Sequence, residues 1–310
     1  MEKVTVFAPA TVANVGPGFD VLGVAVEGLG DVVTARRLDG EPGQVRIEHV
    51  EGDGGRLPRA PEANTAGIAA RATLALLGVE HVGVGLALRK GLPLNSGLGS
   101  SGASAAAACW AVNLLFGAPL DRMALLPAAL EAEARVSGRH ADNVGPALLG
   151  GFVLIHTYDP LELIRLPVPD DLLFVLAVPE CELPTHQARQ VLPANISLQD
   201  HVTTSGHLAA LVAGICTGNT RLVGRAIRDP IVEPARAPLI PGFAQVKRAA
   251  LDAGAHGCSI SGAGPTLFAV TDGESTAQQV AQAMKAAFAD AGLASHTHIG
   301  RVDRVGARLI

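Results

Sequence analysis

The chain has 310 residues, 48% hydrophobic, 17% charged and 3% aromatic, with a formal net charge of −5. That length and apolar content suit one large or two modest globular domains and exclude a disordered chain. The charge balance gives no basic footprint for nucleic acid, and no apolar run reaches membrane-spanning length, so neither partner is expected. With so few aromatics the core has to be built from Ala, Val and Leu. Cys109, Cys181, Cys216 and Cys258 are widely spread, which argues against a zinc or disulfide framework. With no signal-peptide pattern at the start, a cytoplasmic protein is expected.

Residues 3–8 alternate as a short strand ended by Pro9. A loop pinned by Gly16, Pro17 and Gly18 follows, with Asn14 and Asp20 in apolar company. It reads either as a turn closed by Asx hydrogen bonds or as a carboxylate held in a low-dielectric pocket for a cationic ligand group. Residues 21–36 and 44–50 are expected as strands and 51–63 as a polar surface loop. Asn64 is placed to cap a helix over 65–77 that Gly78 closes.

An alternating strand over 81–90 leads into Pro-Leu-Asn-Ser-Gly-Leu-Gly-Ser-Ser-Gly-Ala-Ser at 93–104, and an alanine-rich helix continues to about 116. Gly97, Gly99 and Gly102 allow positive φ and close approach of a ligand. The helix start offers unpaired N–H groups and partial positive charge, and Ser100, Ser101 and Ser104 add hydroxyls, so the segment reads as a phosphate cradle. It lacks the Gly-Lys-Ser/Thr of a Walker loop. It contains Gly-x-Gly-x-x-Gly, but no second strand ending in an acid follows the helix, which rules out a dinucleotide βαβ unit.

A helix over 121–137, capped by Asp121, carries Glu133 near its end, and a tight turn with His140, Asp142 and Asn143 comes next. This is either a helix end with solvated charges or a metal-capable carboxylate beside an acid/base group. Gly150 and Gly151 open a strand through His156. Prolines 160, 167 and 169 mark a crossover, dividing the chain into 1–158, with the glycine loop, and 159–310. In the second part, 172–178 is a buried strand and 185–192 a short helix bearing His186 and Arg189. Helices are expected over 200–217, 219–229, 242–253 and 275–291, and strands over 267–271 and 294–300. The proline-pinned stretch 231–241 presents Arg236, as a surface charge or a ligand contact. A second glycine turn spans 260–266, and His296 and His298 read as surface residues. The order of elements suggests α+β layers rather than a doubly wound sheet.

Pro93, Gly97, Leu98, Gly99, Ser100, Ser101, Gly102 and Ala103 together resemble the phosphate loop of the galactokinase, homoserine kinase, mevalonate kinase and phosphomevalonate kinase superfamily. Ser261-Gly-Ala-Gly-Pro265 resembles its C-terminal glycine motif. Within the superfamily nearly the whole chain is similar to homoserine kinases. That likeness is carried by Ala8-Pro-Ala-Thr with Asn14, Gly18-Phe-Asp20, His140-Ala-Asp142-Asn143-Val, Thr185 with Arg189, and Glu233-Pro with Arg236. Gly102 departs from the alanine frequent at its position.

The resemblance implies an N-terminal domain like ribosomal protein S5 domain 2 and a C-terminal ferredoxin-like domain. It implies ATP-dependent phosphorylation of the side-chain hydroxyl of L-homoserine, in threonine biosynthesis, with ATP and Mg²⁺. Asn64, Pro93, Leu94, Asn95, Ser96 and the loop from Gly97 to Ala103 would hold the nucleotide; Ser100 or Ser101, with Glu133, would hold Mg²⁺. Asn14, Asp20, His140, Asn143, Thr185, Arg189, Arg236, Ser261 and Gly262 would line the homoserine site. Asn143 and Arg189 would position the reacting groups, with Asp142 a candidate base. A homodimer stays open.

The chemistry of the residues agrees with a zwitterionic substrate: Asp20 suits an ammonium, and the guanidinium forks of Arg189 and Arg236 suit a carboxylate. Two competing readings are a superfamily kinase for another small alcohol, such as mevalonate, and a catalytically silent nucleotide-binding regulator.

Overall fold

The computed structural model describes residues 2–38, 42–136 and 138–310. β1 (Lys3–Ala13) and β2 (Leu22–Leu38) form an antiparallel pair around the loop 14–21. β1 runs past Pro9, where it was expected to end, because the ladder shifts register between Pro9 and Ala10. A bulge tolerates a residue with no N–H to donate. The long β2 serves two neighbours: its far half pairs with β4 (Gly83–Arg89) and its first residues pair with β5 (Phe152–Tyr158). β3 (Val45–Glu51) lies parallel to β4. β6 (Leu161–Leu166) pairs with β5, and β11 (Arg308–Leu309) returns to β1, completing seven strands among the described residues. The expected boundary at 158/159 thus cuts the β5–β6 hairpin. The chain leaves the first sheet only after residue 166.

Four helices pack with this sheet: α1 (Thr65–Leu76), α2 (Ser100–Leu115), α3 (Arg122–Val136) and α4 (Ala141–Leu149). Ser137, the expected end of α3, lies outside the described residues. Asn64 caps α1 as expected, accepting the Ala66 N–H at 3.0 Å. In α2, Ala103, Ala105, Ala106, Ala107, Ala108 and Ala111 are all fully buried. A helix enclosed this completely needs small side chains, so that its neighbours can approach on every side.

Where a turn was expected at 140–143, the chain enters α4. Gly145 and Pro146 are poor helix formers, but Val144, Ala147 and Leu148 are fully buried in the main core. Tertiary burial overrides the local preference. A Cβ on Gly23 would stand 1.8 Å from the Asp142 carbonyl oxygen, so β2 and α4 close together only because residue 23 is glycine.

The second sheet runs β10 (Ser295–Arg301), β7 (Leu173–Pro179), β9 (Leu267–Thr271), β8 (Gly257–Ile260), all antiparallel. β7 is apolar throughout because both faces are covered. Leu173, Val175 and Ala177 join a core beneath α9 (Phe243–Asp252) and α10 (Glu274–Asp290). Phe174, Leu176 and Val178 join the core of the first sheet, where Leu211 and Ile215 of α6 (Leu198–Cys216) and Val223 of α7 (Thr220–Ala226) also pack. Phe174 is the joint, with ring centroids 6.3 Å from Phe152 and 5.9 Å from Phe268. α5 (Thr185–Gln190) and α8 (Val232–Arg236) carry the two arginines singled out in the sequence. Among the described residues no helix is long and apolar enough to cross a membrane.

Candidate active site

A pocket of about 380 Å³ opens between the layers. Its lining includes Asn64, Lys90, Asn95, Gly97, Gly99, Ser100, Ser101, Glu133, His140, Asn143, Thr185 and Gly262. The expected phosphate loop forms one wall. α2 begins at Ser100 with Gly99 as its N-cap at φ +68° and with no side-chain cap, so the first-turn amides of Ser100, Ser101 and Gly102 are left for a ligand. A Cβ on Gly99 would stand 1.9 Å from Thr11 Oγ1 and 2.6 Å from Asn143 Oδ1, which leaves glycine as the residue that fits.

The second glycine turn is stitched to this loop. Ser261 Oγ donates to the Gly97 carbonyl at 2.7 Å, and Thr266 N donates to the Ser96 carbonyl at 3.1 Å. Ser261 is fully buried, so its hydroxyl serves the loop rather than the substrate contact expected of it. Ala103 likewise lies inside the helix, its amide donating to the Gly99 carbonyl at 2.8 Å, and Leu98 is buried in the core. The reason is common to all three: these groups are used up in holding the loop's shape.

Beyond His140 the pocket meets a charged cluster. Arg189 Nη2 donates to both Asp20 oxygens, at 2.9 and 3.1 Å, and lies 3.4 Å from His140 Nδ1. Arg189 Nε is buried and, among the described residues, has no hydrogen-bond partner. Arg236 is 2% exposed and donates to the Ala188 and Gly262 carbonyls at 3.0 and 2.8 Å, so it is not a surface charge. Burial, reinforced by Arg189, pushes its pKa down to about 10, still charged at neutral pH. Both guanidinium carbons lie 5.3 Å from the centroid of the Phe19 ring, whose π-face favours cations.

The loop between β1 and β2 is held closed by a side chain. Asn14 spans it, accepting the Asp20 N–H six residues on at 3.1 Å, and donates Nδ2 to the Gly262 carbonyl at 3.0 Å. The loop aims the Asp20 carboxylate at Arg189. Burial holds His140 below the usual histidine range against the pull of Asp20.

Asp142 is 2% exposed, and its Oδ1 has no hydrogen-bond partner among the described residues. Burial first, then the Asp20 and Glu133 charges, push its pKa up to about 7. The folded state therefore keeps a proton that the unfolded chain gives up near pH 4, and stability falls as pH rises between these values. Asp142→Asn removes that dependence. In thermal unfolding the variant's advantage over the wild-type chain should grow from about pH 4 to about pH 7 and then level off, reaching on the order of a few kcal/mol.

Glu133, on α3, is 3% exposed and accepts a hydrogen bond from Ser101 Oγ at 2.9 Å. A buried carboxylate beside a hydroxyl at a helix N-terminus is a hard-oxygen set that suits Mg²⁺ completed by water and phosphate oxygens. Ser100 Oγ turns the other way and donates to Asp31 Oδ2 at 3.3 Å. That leaves Ser101, of the two serines, beside Glu133.

Comparison with known proteins bears on this geometry. The family model described as GHMP kinases N terminal domain matches residues 64–151, and that described as GHMP kinases C terminal matches residues 211–290. A homoserine kinase of Arabidopsis thaliana is 53% identical over 99% of this chain and 85% of its own length. The chain belongs to the homoserine kinase family of the GHMP kinases. The crystal structure of homoserine kinase from Cytophaga hutchinsonii, 47% identical, superposes with a TM-score of 0.96 over 100% of this chain and 98% of that one. A mevalonate kinase from L. major matches at a TM-score of 0.73 with 14% identity, over 96% of this chain and 95% of that one, and so shares the fold alone. The two-domain α+β architecture and small-molecule kinase activity are those of the family.

The structure brings Asn64, Leu94 to Gly97, Gly99 to Ser101, Glu133, His140, Asn143 and Thr185 to the pocket, with Pro93, Leu98 and Gly102 off its lining, and Asn14, Asp20, Arg189, Arg236 and Gly262 around the charged cluster. Asn95 sits at φ +54° and donates to Glu182 Oε2 at 3.0 Å on the outer face. Sequence reasoning missed four groups here. Thr11 Oγ1 donates to Asn143 Oδ1 at 2.7 Å, Phe19 lies beneath both arginines, and Tyr158 Oη bonds the Asp20 carbonyl at 3.1 Å. The fourth, the Asp31–Lys90 pair, had one visible signal: a carboxylate directly before the apolar pair Val32 and Val33.

Proposed function

We propose that this chain transfers the γ-phosphoryl group of ATP to the side-chain hydroxyl of L-homoserine, giving O-phospho-L-homoserine in threonine biosynthesis. One observation carries the choice of substrate. The pocket that begins at the phosphate loop reaches His140, and next to His140 stands a carboxylate, Asp20, with two guanidiniums, Arg189 and Arg236, over one phenyl ring. A zwitterion matches that set, whereas mevalonate has no ammonium for Asp20.

Phosphoryl transfer asks chiefly for positioning and charge neutralisation. The α2 first-turn amides face the triphosphate. Ser101 and Glu133 would hold Mg²⁺, which when bound offsets charge on the phosphate oxygens. The homoserine ammonium takes Asp20, and its carboxylate takes the Nε edge of Arg189 beside Arg236. Thr11 engages Asn143 Oδ1, turning the amide Nδ2 to the pocket, where it orients the attacking hydroxyl.

Asp142 has a pKa suited to a general base, but its carboxyl is buried. We assign the positioning of the hydroxyl to Asn143 and Arg189, without a base. Asp142→Asn is then expected to keep kcat within about threefold, against a loss of about 10²-fold or more for a true base. Cys109, Cys181, Cys216 and Cys258 are all free thiols, which supports a cytoplasmic setting.

A coupled ADP-release assay with Mg·ATP against L-homoserine, L-serine, L-threonine and mevalonate tests the reading. Turnover of homoserine alone is expected. Activity with mevalonate alone would overturn the pocket assignment, and ATP binding without turnover would favour the regulator.

A further inference from the structure

Beneath the phosphate loop lies an ion pair that the proposed chemistry does not use. Asp31 of β2 and Lys90, which follows β4, have side chains only 1% and 2% exposed, and Lys90 Nζ donates to Asp31 Oδ2. The remaining partners lie at the two ends of the loop. Asp31 Oδ1 accepts the amides of Gly91 at 3.0 Å and Leu92 at 3.2 Å, where the chain leaves β4. Asp31 Oδ2 also accepts Ser104 Oγ at 3.0 Å and Ser100 Oγ at 3.3 Å, where α2 begins. Lys90 Nζ spends its other two hydrogens on the Ser100 carbonyl at 3.0 Å and Ser104 Oγ at 2.7 Å.

Two consequences follow. All three Nζ hydrogens are engaged inside the protein, so Lys90 is not a direct phosphate ligand although it borders the pocket. Nor is stability a sufficient reason for the pair, since a buried ion pair is often no better than apolar residues of the same size. Apolar residues, however, could not tie the entry amides of the loop and the first turn of α2 to one fixed point. They also could not neutralise a carboxylate standing under the place where phosphates lie.

We infer that Lys90 and Asp31 are positioning residues for the nucleotide phosphates, setting the α2 first turn and, through Lys90, cancelling the Asp31 charge beneath it. This rests on the reading of the loop as the ATP site.

The test compares MgADP affinity, by calorimetry, with the KM for L-homoserine. Lys90→Met should raise the MgADP Kd about tenfold or more while the homoserine KM stays within about twofold, because a bare carboxylate then opposes the phosphates. Asp31→Asn/Lys90→Met, which removes that carboxylate, should regain at least about threefold of the lost affinity; a merely structural role would predict a further loss. Ser104→Ala, which takes away only the bridging hydroxyl, carries the test if the charge variants do not fold, with a severalfold rise in MgADP Kd and an unmoved homoserine KM.

An unchanged MgADP Kd in folded Lys90→Met or Ser104→Ala overturns the inference. So do equal losses for both ligands, or a double variant no better than the single one. If the wild-type protein binds no MgADP, the nucleotide reading fails and this inference fails with it.

Discussion

Glu133→Gln should lower kcat for phosphoryl transfer by about 10²–10³-fold, the usual cost of removing one charge-stabilising group from a preorganised site. Glutamine keeps the size and shape of the side chain and can still accept the 2.9 Å hydrogen bond from Ser101 Oγ. What it removes is the negative charge of a carboxylate that is 3% exposed and borders the pocket beside the α2 first turn. Mg²⁺ prefers anionic oxygen and keeps several waters, so the apparent Mg²⁺ requirement should rise as kcat falls. Initial rates over a Mg²⁺ titration at fixed ATP would show both effects. Far-UV circular dichroism and thermal unfolding would confirm that the fold is retained. If the variant keeps a rate within about threefold of wild type at low Mg²⁺, Glu133 holds no metal and only supports Ser101.

Arg189→Ala should raise the KM for L-homoserine by about 10²-fold and leave the KM for ATP nearly unchanged, in line with about 1.5–3 kcal/mol for hydrogen bonds to a charged group. Arg189 is held by Asp20, and its buried Nε has no hydrogen-bond partner among the described residues. An incoming zwitterion can exchange partners with this pair. Its ammonium replaces Arg189 at Asp20 while its carboxylate binds the freed guanidinium edge, so no charge is left alone. A ligand with a single charge breaks the pair and restores only half of it. Steady-state kinetics with L-homoserine and with 4-hydroxybutyrate, which lacks the ammonium, separate the cases. In the wild-type enzyme the analogue should be the far poorer substrate, and in Asp20→Ala the gap between the two should shrink. Equal KM shifts for ATP and homoserine in Arg189→Ala would mean that the cleft as a whole had been disturbed.

Much of this architecture was readable from the chain. The continuous apolar run of β7 announced a buried strand, and the alanine run announced a helix after the glycine loop. The two glycine motifs carried the family resemblance. The failures were also local in origin. Pro9 was read as a stop because a strand normally needs every N–H, yet the register shift in β1 makes that N–H dispensable. Residues 140–143 were read as a tight turn, yet the chain enters α4 there: Gly145 and Pro146 disfavour a helix, and burial against β1, β2 and β5 outweighs that preference.

By itself, the sequence determined most of the element types, the glycine loop between a strand and a helix, the family, and a set of residues suited to a zwitterion and a triphosphate. Each of these is written in spacing, and spacing is local. Only the tertiary structure decided who meets whom: Asp31 with Lys90 across 59 residues, Thr11 with Asn143 across 132, Asp20 with Arg189 across 169. It also decided that Ser261 braces the loop, that Arg236 is buried, and that β6 and β11 belong to the first sheet. The physical reason is that strand order and helix packing choose the neighbours of a side chain. Periodicity fixes which face a residue occupies, but not what the rest of the chain brings against that face.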